Sequence, residues 1–190
     1  EKLSESSMPF IFKGGTSLLL LLQELRRLSI DIDIIVPKSV TIAEINEILK
    51  NIVRTSSFTR YEEQERHYSQ IPKAHFKLFY ESPFNQSEVY VLLDVLFEEN
   101  PYSRLDSTDI VCPFIDTIPP NVTVKVPSIA DILGDKLTAF APNTTGILYD
   151  KEKEMEIIKQ LFDIESLFDQ LSTTNGVKDT FIRCAEHNRN

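Results

Sequence analysis

Apolar residues recur along this chain with strand and helix periods interleaved up to about Val126, and with helical period alone beyond it. Met8–Phe12 is a short apolar run. Ser17–Arg27 is helical by composition, and its leucines are expected to pack under a sheet. Ile30, Ile32 and Ile34 alternate with Asp31 and Asp33, which predicts a strand over Ile30–Val36, ended by Pro37. Ile42, Ile45, Ile48, Leu49 and Ile52 mark one face of a helix over Thr41–Val53 that should cover one side of the sheet. Three extended segments follow, Thr59–His67, Ala74–Glu81 and Glu88–Phe97, parted by Pro72 and by Pro83-Phe84-Asn85-Gln86 as neighbouring antiparallel strands would be.

Further on, Glu98–Asp109 reads as loop and Val111–Ile118 as an extended piece stopped by Pro119-Pro120. Val122, Val124 and Val126 alternate as a last short strand. Pro127-Ser128 then opens a helix, with Ser128 and Asp131 at capping-box spacing and Ile129, Ile132, Leu133, Leu137 and Phe140 as its buried stripe. A loop from Ala141 to Gly146 leads to a long helix over Lys151–Leu171 and a partial helix in Asn175–Asn190. This order predicts an α+β fold: a mixed β-sheet from about Met8 to Val126 with helices on one side, then a helical C-terminal part, residues 127–190, following a core of residues 1–126.

Composition narrows the classes. A chain of 190 residues with 42% hydrophobic content can bury a core. The longest apolar run, Leu18–Leu22, is far short of the roughly 20 residues a membrane span needs, and no signal peptide is visible, so a cytoplasmic protein without membrane association is expected. Cys112 and Cys184 show no metal spacing and read as reduced thiols; His67, His75 and His187 show no zinc pattern and read as surface or packed residues. A net charge of -9 argues against a broad electrostatic grip on nucleic acid, though not against a local basic patch. The first residue, Glu1, is not methionine, as expected of a fragment or processed chain with further helices at either end.

Candidate chemistry concentrates between Lys13 and Asp33. In Lys13-Gly14-Gly15-Thr16-Ser17, paired glycines allow positive φ and close approach of a ligand, and Thr16-Ser17 open a helix whose free N–H groups favour an anion. Asp31 and Asp33 leave the same face of a strand, with Cα atoms roughly 6.6 to 6.8 Å apart, a spacing suited to a divalent metal. The separation of one helix brings the loop and the acids to one end of a sheet, as metal-assisted phosphate transfer requires. By contrast, Glu62, Glu63 and Glu65 read as a solvated strand face.

Two charged residues stand in apolar surroundings. Asp94 interrupts Val91-Leu92-Leu93-Asp94-Val95-Leu96-Phe97, and an unpaired buried carboxylate is costly enough that it should meet a cation or belong to a site. Lys136 falls on the buried stripe of its helix, where it either meets an anion or bends out to water.

Lys13-Gly14-Gly15-Thr16-Ser17-Leu18 followed by Arg27-x-Ser29-x-Asp31-x-Asp33 resembles the first motif of the AbiEii-type nucleotidyltransferase toxins, in the DNA polymerase β-like superfamily. The resemblance extends to about Asp163, over most of the chain. It implies a polymerase β-like nucleotidyltransferase fold, a nucleoside triphosphate as substrate, and Mg²⁺ or Mn²⁺ as cofactor. Asp31, Asp33 and Asp94 are then the metal-binding and catalytic carboxylates, while Lys13, Gly14, Gly15, Thr16 and Ser29 bind the nucleotide. Gly134-Asp135-Lys136-Leu137-Thr138-Ala139-Phe140 resembles the family's lysine-bearing third motif, which assigns Lys136 to nucleotide phosphate and catalysis. Glu156-Ile157-Ile158-Lys159-Gln160-Leu161-Phe162-Asp163-Ile164 resembles the fourth motif, a basic residue followed by an aspartate, and this resemblance alone selects Asp163 as catalytic. Leu28 and Ile30 depart from the aromatic and charged residues frequent at those positions in relatives.

Members of the family transfer a nucleotide, and related toxins act on the acceptor end of tRNA, opposed by a separate antitoxin protein. A tRNA acceptor and a cognate antitoxin are therefore the expected partners. Competing readings are a small-molecule nucleotidyltransferase of the antibiotic-modifying kind, which the acidic charge favours, and a non-enzymatic nucleotide-binding module. An Asp-x-Asp glycosyltransferase would leave Gly14, Gly15, Thr16 and Lys136 without a role.

Overall fold

The computed structural model describes residues 1–24, 26–64, 72–114, 116–141, 146–147 and 152–187. The expected strand residues 65–67, including Glu65 and His67, lie outside the described residues, as do 142–145 of the expected loop, Lys151 at the expected start of the long helix, and 188–190.

A five-stranded sheet carries the site. Its strands are β1 (Ile11–Lys13), β2 (Ile32–Val36), β3 (Phe58–Gln64), β4 (Lys73–Glu81) and β5 (Glu88–Phe97), in the spatial order β1-β2-β5-β4-β3. β2 and β5 run parallel and the other neighbours antiparallel, so the sheet is mixed. The helix α2 (Ile42–Thr55) starts on a capping box: Thr41 Oγ1 accepts from the Glu44 amide at 3.2 Å and Glu44 Oε2 accepts from the Thr41 amide at 2.7 Å. Its buried Ile45, Leu49 and Ile52 pack with Ile34, Val36, Phe76, Leu93 and Val95. Because side chains alternate along strands, this leaves Asp33 and Asp94 on the opposite face.

The helix α1 (Gly14–Leu21) begins three residues earlier than the leucine run suggests and ends where Leu22 turns extended. Its leucines divide. Leu18 and Leu22 pack with Ile132, Leu133, Ile164 and Leu167 of the C-terminal helices, whereas Leu19 and Leu20 line an apolar cavity with Ile32, Val91 and Leu93 of the sheet. Only half of the expected packing under the sheet is found, because α1 is wedged between the sheet and the later helices.

The segment expected to be loop contains β6 (Leu105–Asp109), which pairs antiparallel with β7 (Thr123–Pro127). This two-stranded ribbon is separate from the main sheet, and so β7 is not its final strand. Within Val111–Ile118 the described residues hold only an isolated bridge at Cys112. The Ile110 amide donates to the Val122 carbonyl at 2.8 Å, making 111–121 the connection of the ribbon, where Pro113, Pro119 and Pro120 oppose strand pairing.

Among the described residues three helices follow: α3 (Ile129–Leu137), continued by a short 3₁₀ turn, α4 (Glu154–Asp169) and α5 (Val177–His187). Ser128 caps α3 by accepting from the Asp131 amide. Asp131 in turn accepts from the amides of Ser103 and Arg104 at 2.8 and 3.1 Å, fastening α3 to the chain entering β6.

Candidate functional site

A single row of side chains crosses four strands on the face opposite α2. Lys13 of β1 is in register with Asp33 of β2, Asp33 with Asp94 of β5, and Asp94 with His75 of β4. Residues in register share a sheet face. The order cation, acid, acid, imidazole therefore follows from strand pairing. Asp31 is exposed and precedes β2, whose first residue is Ile32, so the predicted acid pair is brought to one edge but on different supports.

The loop between β1 and α1 is shaped by close approach. Gly14 has φ +76°, and a Cβ placed on it would lie 2.0 Å from Asp33 Oδ2. A Cβ on Gly15 would lie 2.6 Å from Arg27 Nη2 and 3.0 Å from Ser29 Oγ. Each glycine thus admits one half of the Arg27–Asp33 segment. The Thr16 hydroxyl donates to the Asp31 carbonyl and is committed to holding that segment, and the buried Ser17 hydroxyl donates to the Gly14 carbonyl at 2.8 Å.

Two acids from the C-terminal helices hold the nearby cations. Asp163 of α4 accepts from Arg27 twice, Nε to Oδ1 at 2.7 Å and Nη2 to Oδ2 at 2.6 Å, and from Lys136 Nζ at 2.7 Å. Lys136 also donates to Gln160 Oε1 at 3.2 Å. Asp135 of α3 accepts from Lys13 Nζ at 2.7 Å and from the Tyr102 hydroxyl at 2.8 Å. Asp163 and Lys136 are buried, at 3% and 9% exposure, which explains why the charges come as a group: an unpaired charge at that depth would be costly.

Electrostatics single out Asp33. Burial, reinforced by Asp94 and Asp31 and opposed by Lys13 and Lys136, pushes its carboxyl from 3.8 up to about 6. Burial works against the charge of Lys13, but Asp135 and then Tyr102 outweigh it and hold Lys13 well above the ordinary lysine value. Burial would raise Asp135, yet Lys13 and Tyr102 keep it below the usual carboxylate range. Burial, then Asp135, lifts Cys184 to about 12, consistent with a packed, unreactive thiol.

These groups open onto a cleft of about 380 Å³ lined by Lys13, Gly14, Gly15, Ser29, Asp31, Asp33, Asp94 and Lys136, with Arg27, Asp135, Lys159 and Gln160 on its walls. Nine of the ten residues singled out from sequence thus meet at or immediately behind the cleft, Asp163 standing behind it as the partner of Arg27 and Lys136. Thr16 is the exception: it lines the apolar cavity on the other side of α1. Lys136 neither bends to water nor points unpartnered at the cleft, because Asp163 and Gln160 hold its ammonium. Arg27, His75, Tyr102 and Asp135 were given no role from sequence. Arg27 and Asp135 lie inside the quoted motifs, whereas the pairing of His75 with Asp94 depends on register that no local pattern reveals.

Among the described residues no three histidine, cysteine, aspartate or glutamate side chains form a ready cage for a metal ion. The donor set suits Mg²⁺ nonetheless, since that ion is usually held by one or two carboxylates together with substrate phosphates. Asp33 and Asp94 in register supply the carboxylates, and burial makes the charge on Asp33 costly, which a bound cation would offset.

The family model described as "Nucleotidyl transferase AbiEii toxin, Type IV TA system" matches residues 2–189. The chain belongs to the AbiEii nucleotidyltransferase toxin family. Among solved structures, JHP933 from Helicobacter pylori is similar at 18% identity and a TM-score of 0.55, over 89% of this chain and 61% of that one. An antigenic nucleotidyltransferase-like protein from Paracoccidioides brasiliensis is similar at 14% identity and a TM-score of 0.55, over 98% of this chain and 83% of that one. At these identities the likeness establishes a nucleotidyltransferase-like α+β fold. The chain spans about three-fifths of the length of JHP933. No curated protein matches it. Among the described residues no helix is long and apolar enough to cross a membrane.

Proposed function

We propose that this AbiEii-family chain is a metal-dependent nucleotidyltransferase that moves a nucleotide from a nucleoside triphosphate to an acceptor hydroxyl, as the toxin of a toxin–antitoxin pair acting on tRNA in the cytoplasm. The observation that carries the reading is the register pair Asp33–Asp94, with Asp33 close against Gly14 and Asp94 beside it on the neighbouring strand. Residues 1–126 are the nucleotidyltransferase core in this reading, and residues 127–190 contribute Lys136 and Asp163 to complete the cleft.

Asp31, Asp33 and Asp94 would hold Mg²⁺ or Mn²⁺, which when bound supplies charge neutralisation of the triphosphate and activation of the acceptor hydroxyl. The protein's own part is positioning and electrostatics. Backbone N–H groups at the start of α1 and the Ser29 hydroxyl face the phosphates, and Lys136 and Arg27 lower the cost of bringing a polyanion among acids. In this reading the acceptor oxygen attacks the α-phosphorus, the bond to pyrophosphate breaks, and Asp94 takes the hydroxyl proton. Asp163 acts through Arg27 and Lys136, so it is a positioning residue.

The test is incubation with each α-labelled nucleoside triphosphate, total cellular RNA and Mg²⁺. Label should enter RNA of tRNA size, and Asp33→Asn should abolish it while leaving the fold intact. Transfer equal to wild type in Asp33→Asn would overturn the assignment of the carboxylates. The net charge of -9 favours, as a second reading, a small-molecule acceptor; pyrophosphate release without RNA labelling, dependent on an added small hydroxyl compound, would select it.

A further inference from the structure

His75 sits on β4 directly opposite Asp94, on the sheet face that carries Asp33. Its Nδ1 lies 2.6 Å from Asp94 Oδ1, with side-chain exposures of 14% and 30%. A carboxylate can only accept, so the ring places its hydrogen on Nδ1 and donates. The two acids are thus supported differently. Asp33 has the charges of Lys13 and Lys136 acting on it, whereas the hydrogen-bond partner given to Asp94 among the described residues is the His75 ring. That difference has a chemical use. A lysine or arginine beside Asp94 would compete with a metal ion for its charge, but an imidazole can donate Nδ1–H without carrying charge, fixing the carboxylate while leaving its negative charge intact.

We propose that His75 is a positioning residue of this site: it holds Asp94 by Oδ1 and so fixes the carboxylate that, with Asp33, would hold a divalent cation. The proposal rests on the metal-dependent reading above. Hydrogen-bonding groups behind metal ligands typically account for about 10- to 100-fold in metal affinity or activity, which sets the effect to look for.

The experiment is a Mn²⁺ titration followed by water-proton relaxation, which reports protein-bound Mn²⁺, in the presence of an equimolar mixture of the four nucleoside triphosphates. Wild type, Asp94→Asn, His75→Leu, His75→Gln and His75→Asn are compared. Asn carries an N–H close to the place of Nδ1, whereas Gln carries it one carbon further out. The midpoint should rise about 10- to 100-fold in His75→Leu and His75→Gln, and return to within about threefold of wild type in His75→Asn. If His75→Leu fails to fold, the Asn and Gln variants alone decide. A raised midpoint in Asp94→Asn with wild-type midpoints in every His75 variant would overturn the proposal and leave the metal reading standing. A folded His75→Asn as impaired as His75→Gln would overturn it too, since ring packing rather than donation would then be at work. Absence of protein-bound Mn²⁺ in wild type would overturn both.

Discussion

Lys136 and Asp163 form a buried ion pair, Nζ to Oδ2 at 2.7 Å, and the same carboxylate takes Arg27 in a two-point grip. One acid from α4 therefore secures a cation from α3 and another from the segment leading into β2. The asymmetry matters: removing Lys136 leaves Asp163 with Arg27, whereas removing Asp163 leaves two cations facing each other.

The expected order of destabilisation follows. Asp163→Ala should cost on the order of 3–5 kcal/mol, as for other buried pairs broken from one side, and Lys136→Met should cost less. The double variant should be more stable than the sum of the single losses predicts, because one of the stranded cations is gone. Urea unfolding of the three proteins checks this, and equal losses in the two single variants would show that Arg27 does not shield Asp163.

Gly14 offers a second test, one that separates geometry from stability. Alanine there meets two obstacles, a backbone at φ +76° and a carboxylate oxygen 2.0 Å from the new Cβ. The first should cost on the order of 1–2 kcal/mol. The second displaces Asp33, so transfer should fall by roughly ten- to a thousandfold, more than the loss of folded protein explains. Melting temperature beside transfer rate at a temperature where the variant is folded makes the comparison.

How far the sequence reached can be seen in these residues. Gly14, Gly15 and Asp33 were legible because a turn and a strand are local features, and Asp94 because a single acid in an apolar run violates its surroundings, whereas Asp31, expected on the same strand face as Asp33, stands just ahead of β2. Periodicity put Lys136 on the buried stripe of its helix, where it either meets an anion or bends out to water. It could not show that the anion in hand is Asp163, 27 positions later on another helix. The strand β6 escaped notice because Leu105–Asp109 is polar and half-exposed, so pairing with β7 alone, without an apolar period, makes it a strand. His75 was hidden for a related reason: its neighbour is chosen by the β4–β5 register, a property of two strands together.

The proton affinity of Asp33 yields a prediction whose sign differs from the usual carboxylate case. Its carboxyl is raised from 3.8 to about 6, so between those values the folded chain binds a proton that the unfolded chain releases. Stability linked to this group is therefore complete below about pH 4, declines as pH rises through 6, and levels off above pH 7. A rise of that size corresponds to roughly 3 kcal/mol lost at neutral pH relative to acid. Asn cannot ionise, so Asp33→Asn should be more stable than wild type by up to about that amount at pH 8, with the advantage shrinking to nothing near pH 4. Urea unfolding across that range, in EDTA, measures it. Adding Mg²⁺ with a mixture of the four nucleoside triphosphates should then stabilise wild type at pH 8 and leave Asp33→Asn nearly unmoved. A variant less stable than wild type at pH 8 would show that Asp33 is held by favourable contacts, and that its position is structural rather than prepared for a cation.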